Sequence, residues 1–449
     1  MANMIRERSF YKQMLSIAIP VIAQQVITVG VGLIDNIMVG KLQETVLSGC
    51  TAALQIHDIF HNICLGLSLG GSIIMARFWG AKSQDGLNQT ITLTIRIGLL
   101  IAAIFTLATA IAPHQLVALF SDDAQVISEG VKYLRVSLPC YILVCCSLIA
   151  TMILRNIRKI RVPLYASIGA FFINIFFNWI FIFGKLGAPA MGISGAALGT
   201  LLSRIFECFA MVGFLLFKEK NLQYDMRHVL FLPCRSLLPE YLKISIPVMI
   251  SDTLLGLGNS VTTSIIGHID KMYMSAYSIT AVTQRVTTVF SVGLSQASSI
   301  IIGNTLGKGD KKSAQDQGFS MAVLAALIGT ICGCLILFIS PFIISSYNIT
   351  DVTRELTRQF MAGVVVTTIL ITVSNVLTKG VLRGGGDTRF LMVADVVFLW
   401  LLCVPLGYLA GHVWHWSPFY IFLALRIDHV AKIILCAFRL RSKKWMKKI

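Results

Sequence analysis

The sequence predicts an all-α integral membrane protein: twelve transmembrane helices arranged as two parallel six-helix repeats with a central cleft. Three observations lead there. Hydrophobic residues make up 56% of the chain and charged residues only 13%, whereas an ordinary soluble domain is about a quarter charged. The apolar residues fall in runs long enough to cross a bilayer, which takes roughly 20 residues. The second half of the chain then repeats the Pro and Gly punctuation of the first.

The runs lie at roughly 14–39, 47–76, 90–113, 131–153, 163–184, 191–217, 241–267, 273–303, 316–342, 360–381, 389–412 and 418–438. Each is expected to be a helix, because backbone N–H and C=O groups in hydrocarbon must find partners within their own segment. No alternating barrel pattern is present. A mean hydropathy of +0.77 fits a chain whose solvent is lipid.

Flanking charges orient the spans. With the N-terminus inside, the inner segments carry Arg6, Arg8, Lys12, Arg77, Lys82, Arg155, Arg158, Lys159, Arg161, Lys218, Lys220, Arg227, Arg235, Lys308, Lys311, Lys312, Arg383 and Arg389. The tail adds Arg439, Arg441, Lys443, Lys444, Lys447 and Lys448. The outer segments carry only Lys41, Lys185, Lys271, Arg354 and Arg358. Positive residues collect on the cytoplasmic side, so both termini are expected in the cytoplasm of a cell (inner) membrane protein. The same bias accounts for the net charge of +17. The basic residues sit in short loops rather than on one face of a domain, so no nucleic-acid partner is expected. The tail is expected to lie along anionic headgroups with Trp445 at the interface. The N-terminal stretch lacks the apolar core and small-residue cleavage site of a removable signal. The 11 cysteines have no zinc or disulfide spacing and read as packing residues.

The repeat is visible without gaps when Pro20 is set on Pro247. Leu15–Val21 then faces Leu242–Val248, Gly40 meets Gly267, Gly66 meets Gly293, Ser72 meets Ser299 and Gly80 meets Gly307. An even number of spans per copy makes the repeats parallel. The expected division is an N-terminal lobe at 1–217, a cytoplasmic linker at 218–236 and a C-terminal lobe at 237–449 with its basic tail.

The openings Ile17-Ala-Ile-Pro20 and Ile244-Ser-Ile-Pro247, the segment Gly32-Leu-Ile-Asp-Asn-Ile-Met-Val-Gly40 and the loop Val381-Leu-Arg-Gly-Gly-Gly-Asp-Thr-Arg389 resemble multidrug and toxic compound extrusion (MATE) transporters over essentially the whole chain. The resemblance implies a secondary antiporter that exports organic, often cationic compounds against Na⁺ or H⁺. It implies no cofactor and no enzymatic activity. The first lobe departs from the pattern, with Leu154-Arg-Asn-Ile-Arg-Lys-Ile-Arg161 in place of the usual Gly-Asp-Thr loop.

Ionisable residues within spans are costly, and each needs a reason. The resemblance places Asp35 in an ion-coupling site with Asn174, Asn178 and Thr200; Asn174 and Asn178 share a helix face by their i, i+4 spacing. Some relatives carry a second Asp where Asn178 stands, so the coupling ion stays open between Na⁺ and H⁺. Asp252 and Asp395 are candidates for substrate or proton, or for structural pairs, Asp395 with Lys379 or Arg389. Asp428 and Lys432, one turn apart, are expected to pair, with Arg426 nearby. Asp58 and Arg285 occupy equivalent repeat positions. The partners expected are a small organic substrate and the bilayer, with the protein a monomer. Two other functions stay open: a lipid-precursor flippase using Arg96, Arg135, Arg204 and Arg285, and an intramembrane metalloenzyme built on His57, Asp58 and His61. The latter has at most two histidines and a short acid where zinc needs a third ligand. An ATP pump is disfavoured by the absence of a phosphate-binding loop motif.

Overall fold

The computed structural model describes residues 4–42, 44–219, 222, 224–225, 227–345, 347 and 349–447. Lys220 of the linker and Lys448 and Ile449 of the tail lie outside the described residues, as does the side chain of Lys271. Among the described residues every regular element is a helix. The first half contains α1 (Arg8–Val39), α2 (Glu44–Gly80), α3 (Gln84–Ile111), α4 (Ala124–Ser137), α5 (Cys140–Asn156), α6 (Arg161–Phe183) and α7 (Ile193–Phe217). The second contains α8 (Leu238–Gly267), α9 (Lys271–Gly307), α10 (Lys311–Ser345), α11 (Asp351–Leu382), α12 (Thr388–Val413), α13 (Pro418–Ala424) and α14 (Asp428–Arg441).

Among the described residues ten helices are long and apolar enough to cross a membrane. An eleventh span is the pair α4 and α5, bent by 57°. The bend falls at Pro139, which lacks an N–H and clashes with the preceding turn. Asp123 caps α4 by accepting from the backbone N–H groups of Gln125 (2.7 Å) and Val126 (3.4 Å), so helix begins earlier than the apolar run at 131. The twelfth run, 418–438, is broken into α13 and α14. The break lies at Leu425–Ile427, and the charges of Arg426, Asp428 and Lys432 dilute the apolar stretch around it. Side chains such as Phe209, Phe217, Phe338, Phe342 and Leu401 are each at least 70% exposed, a surface that only lipid tolerates. The chain is a multi-pass membrane protein.

Packing divides the chain into two compact units that are interleaved in sequence. One comprises residues 1–22, 76–81 and 250–449, and the other 23–75 and 82–249. Glycine contacts inside each unit explain the interleaving. In the second, Gly66 of α2 lies against Met249 of α8, where an added Cβ would come within 2.8 Å of its Cα. In the first, Gly293 of α9 lies against Ile22 and Ala18 of α1. These are the same contact shifted by the repeat offset. The end of α2 also belongs to the first unit, where Gly80 meets the backbone of Asn304 and Gly307 meets that of Arg77, again a repeat-related pair. Glycine is needed at such crossings because backbones touch where any side chain would intrude.

The helix stops repeat as well. α2 and α9 end in left-handed residues at equivalent positions, Lys82 (φ 56°) and Gly309 (φ 83°). α5 and α11 also end in left-handed residues, Arg158 (φ 65°) and Gly386 (φ 79°), one position off that register. In both of the latter the next residue closes a six-residue return: Lys159 N–H donates to Leu154 C=O at 2.8 Å, and Asp387 N–H to Leu382 C=O at 3.2 Å. This is the Schellman stop, which favours glycine. The first-half loop that lacks Gly-Asp-Thr thus makes the same turn with an arginine.

Two of the tail's features differ from expectation. Trp445 is fully buried rather than interfacial. Its indole N–H donates to Gln315 Oε1 at 3.1 Å, and its ring covers Gly385 and Gly318. Arg439 (2.7 Å) and Lys447 (3.6 Å) pair with Asp387 of the glycine loop, and Arg77 donates to the carbonyls of Gly385 and Lys447. The loop and tail form one clasp, because three consecutive glycines leave a surface flat enough for an indole.

Replacing Arg158 with Gly should stabilise the protein by about 1 kcal/mol, the usual cost of a left-handed non-glycine residue, seen as a higher melting temperature in detergent. Gly307→Val should destabilise it by roughly 1–3 kcal/mol through overpacking. A neutral Gly307→Val variant would show that the crossing can open freely.

Candidate functional site

The second unit holds a polar cluster formed by α1, α6 and α7. Asn178 lies one turn after Asn174 on α6, and both are buried to about 1% exposure. Asn178 Nδ2 donates to Asp35 Oδ1 at 2.6 Å and to Asn174 Oδ1 at 3.3 Å. The amide of Asn178 rests on Gly199 of α7, where any Cβ would overlap it. Glycine at 199 therefore brings the two helices together at the level of Thr200, whose side chain hydrogen-bonds to the buried phenol of Tyr133 on α4. All four sequence-chosen residues thus lie around one place. Among the described residues Asn174 Nδ2 and Asn178 Oδ1 are buried without a hydrogen-bond partner. A carboxylate, two amide oxygens and a hydroxyl form an all-oxygen set with one negative charge. That composition suits a hard monovalent cation or a proton rather than a transition metal.

A second chain of polar groups lies in the same unit. Arg204 of α7 pairs with Glu207 at 2.7 Å. Ser167 of α6 donates to the other Glu207 oxygen at 3.0 Å. Gln24 of α1 donates to Ser167 at 3.0 Å and accepts from buried Arg155 at 2.6 Å. Sequence reasoning singled out Arg204 only as a flippase candidate and passed over Glu207. The signal was available: Glu207 is an acid in the middle of the run 191–217, three residues from an arginine.

In the first unit every buried acid has a base. Asp252 receives a bidentate pair from Arg383, 3.0 Å at each oxygen, with Lys379 at 3.7 Å. Lys379 lies on a π-helical stretch of α11, Val376–Leu382. Asp395 pairs with Lys432 at 3.0 Å, not with Lys379 or Arg389, and accepts from Ser251 at 2.7 Å. Lys432 also holds Asp428 at 2.9 Å, the pair expected from spacing. Arg426 does not join them, turning instead to Asn259 (3.2 Å) and Gln284 (3.4 Å).

The other candidates are differently placed. Arg96 donates to the carbonyls of Val229 (2.6 Å), His228 (3.4 Å) and Leu232 (3.0 Å), so it binds the linker rather than lining a phosphate pocket. His57 bonds to Ser137 at 2.9 Å and stacks on Tyr141 at 4.8 Å. Among the described residues no cluster of three or more His, Cys, Asp or Glu could hold a metal.

Helices with a lipid-facing skin and charged groups held inside define a polytopic membrane protein of the kind that moves solutes. The sequence matches the MatE family over residues 20–180 and 247–409. It is 21% identical to a probable multidrug resistance protein NorM of Thermotoga maritima over 438 residues, covering 97% of this chain and 93% of that one. A Bacillus subtilis protein of the same description is 23% identical, with 90% and 89% covered. Two solved structures share the fold. One is an outward-facing multidrug resistance MATE family transporter of the MOP superfamily, with TM-score 0.89, 17% identity and 98% and 99% coverage. The other is a MOP superfamily transporter from Pyrococcus furiosus, with TM-score 0.86, 17% identity and 96% of each chain covered. The chain belongs to the MatE family of transporters.

Removing one partner of a buried pair strands the other charge, at a cost of about 3–5 kcal/mol. Arg383→Met should therefore sharply reduce membrane abundance and thermal stability. Adding Asp252→Asn should recover most of the loss. Equal loss in the double variant would mean that Arg383 acts elsewhere.

Proposed function

We propose that this transporter is a secondary antiporter that exports organic, often cationic compounds in exchange for Na⁺ or H⁺ by alternating access. The observation that carries the reading is the Asp35 carboxylate, hydrogen-bonded to Asn178 beside two buried amide atoms that lack partners. Buried polar groups are ordinarily satisfied, and an ionisable group inside a span is costly and ordinarily marks a functional site. Binding a cation at Asp35 would neutralise the carboxylate and reorganise the amides around it. A coupling ion must bind two conformations with different strength to bias them. A carboxylate among amides and hydroxyls can do so, since occupancy changes both its charge and its hydrogen bonds. Asp252 and Asp395 enter the same reading as residues for substrate or proton, each first having to leave its basic partner. The relatives described as multidrug resistance proteins support export of organic compounds as the direction and substrate class. The protein works without a cofactor, as a monomer, in the cell membrane with both termini in the cytoplasm.

Efflux from proteoliposomes under separate Na⁺ and pH gradients tests this, using a panel of cationic dyes and one lipid-linked substrate. Asp35→Asn should reach the membrane and lose gradient-driven export, by about tenfold or more. Asn178→Asp should change the affinity for the coupling ion. Wild-type export by Asp35→Asn under both gradients would remove Asp35 from the mechanism, and movement of only the lipid-linked substrate would replace the antiporter by a flippase.

Topology is tested separately by labelling single cysteines in a cysteine-free background. A cysteine at position 120 should react from outside and one at position 310 from inside; the reverse would invert the orientation.

A further inference from the structure

The ion site proposed above already has a positive charge of its own within reach. Thr200, Arg204 and Glu207 recur at i, i+4 and i+7 and so lie along one face of α7. Thr200 stands at the level where Asn178 and Asp35 meet, since Asn178 rests on the adjacent Gly199. Arg204 lies one turn further, about 5–6 Å along the axis, a distance its side chain spans in either direction. Its guanidinium sits on Glu207 at 2.7 Å, and its side chain is 37% exposed against 10% for that of Glu207. It is also close enough for its charge to act on Asp35. Among the described residues Asp35 has an amide partner but no basic residue bonded to it.

We infer that Arg204 is a tethered cation that competes with the coupling ion for Asp35, resting on Glu207 when the ion occupies the site. The inference rests on the ion-site reading. Two acids, Asp35 and Glu207, face two bases, Arg204 and Arg155, in this polar region. The region is therefore balanced before any ion arrives, and a bound cation adds a charge that must be accommodated in a poorly polarisable medium. Glu207 is where that accommodation occurs. Ser167 and, through it, Gln24 and Arg155 hold the second oxygen of Glu207, so the acid stays in place while Arg204 moves. When the ion leaves, Arg204 can swing toward Asp35 and take up its charge. Release then does not leave a bare carboxylate in the membrane, which is what makes dissociation into the cytoplasm feasible. The other groups that face this region are His57 and His61 of α2 and Cys140 of α5, together with Cys50 and Tyr133 near Asp35. None of them carries a fixed positive charge, and Arg155 is buried and donates to Gln24 at 2.6 Å, which leaves Arg204 as the competitor.

The two partners of the pair should act in opposite directions, which a purely structural pair would not do. The readout is the concentration of Na⁺, or of H⁺ in Na⁺-free buffer, that gives half-maximal driven dye efflux from proteoliposomes. Arg204→Met should lower that concentration by about tenfold, because Asp35 loses its internal competitor. Glu207→Gln should raise it by a similar factor, because Arg204 loses its resting place. The double variant Arg204→Met with Glu207→Gln removes both partners together. It should follow Arg204→Met and guards against loss of folding from a stranded charge. Shifts in the same direction, or no shift in the double variant, overturn the inference. Asp35→Asn separates the two levels: if it still couples efflux to the ion, the site itself is wrong, whereas loss of coupling there with unchanged Arg204 variants refutes only the tethered cation.

Discussion

The packing rests on backbone-to-backbone approach at Gly66, Gly80, Gly293 and Gly307. Inside a bilayer, apolar surface gains little by leaving lipid for protein, so helices associate chiefly through close van der Waals fit. A missing Cβ at a crossing lets two helices approach over several turns. All four glycines lie on α2 and α9, the second helix of each half. Each of these helices meets the first helix of the other half within one unit, α2 against α8 and α9 against α1. The halves of the sequence are therefore not the bodies that pack: residues 1–22 and 76–81 belong with the C-terminal residues. A proline in the opening helix of each half, Pro20 and Pro247, stands close to these contacts.

Behind that frame Asp35 is held differently from the other buried acids, Glu207 of its own unit included. In the first unit, Asp252, Asp395 and Asp428 are each tied to a base, and Lys432 bridges two of them at 2.9 and 3.0 Å. Such matched groups restrict one another, and separating them is expensive. In the second unit Asp35 has amides instead of a base, and its surroundings include buried atoms with nothing to bind. Pairing suits a part that must keep its geometry. Incomplete satisfaction suits a place whose partners change.

Much of this was readable from the residues alone. Helical spans and the repeat follow from run lengths and punctuation, whereas the grouping of Asp35 with Asn174, Asn178 and Thr200 is what the family resemblance implies. Asp428 and Lys432 were readable because helical neighbours four apart share a face. What escaped was long-range. The partner of Asp395 lies on another helix, 37 positions on from it at Lys432, a pairing that no local spacing encodes. Glu207 is hidden in an otherwise apolar run, and its bond from Ser167 of α6 is one that no local spacing encodes. Basic tails with a tryptophan ordinarily lie at the headgroups, and nothing local tells such a tail from one that folds back onto glycines as Trp445 does. The broken twelfth run was hard to foresee for a similar reason, since its Arg426, Asp428 and Lys432 are tolerable in a span once partners from other helices receive them.

The buried tryptophan has an optical consequence. Trp414 and Trp416 are each more than 40% exposed, whereas Trp445 has no exposed surface and its indole N–H is held by Gln315. An indole enclosed by apolar walls and a single fixed donor–acceptor contact emits at shorter wavelength than one in contact with water or headgroups. The clasp of tail and glycine loop therefore carries its own chromophore, positioned against Gly385 and next to the Asp387 ion pairs. Undocking of the tail is an event that the protein's intrinsic fluorescence can follow without any added label.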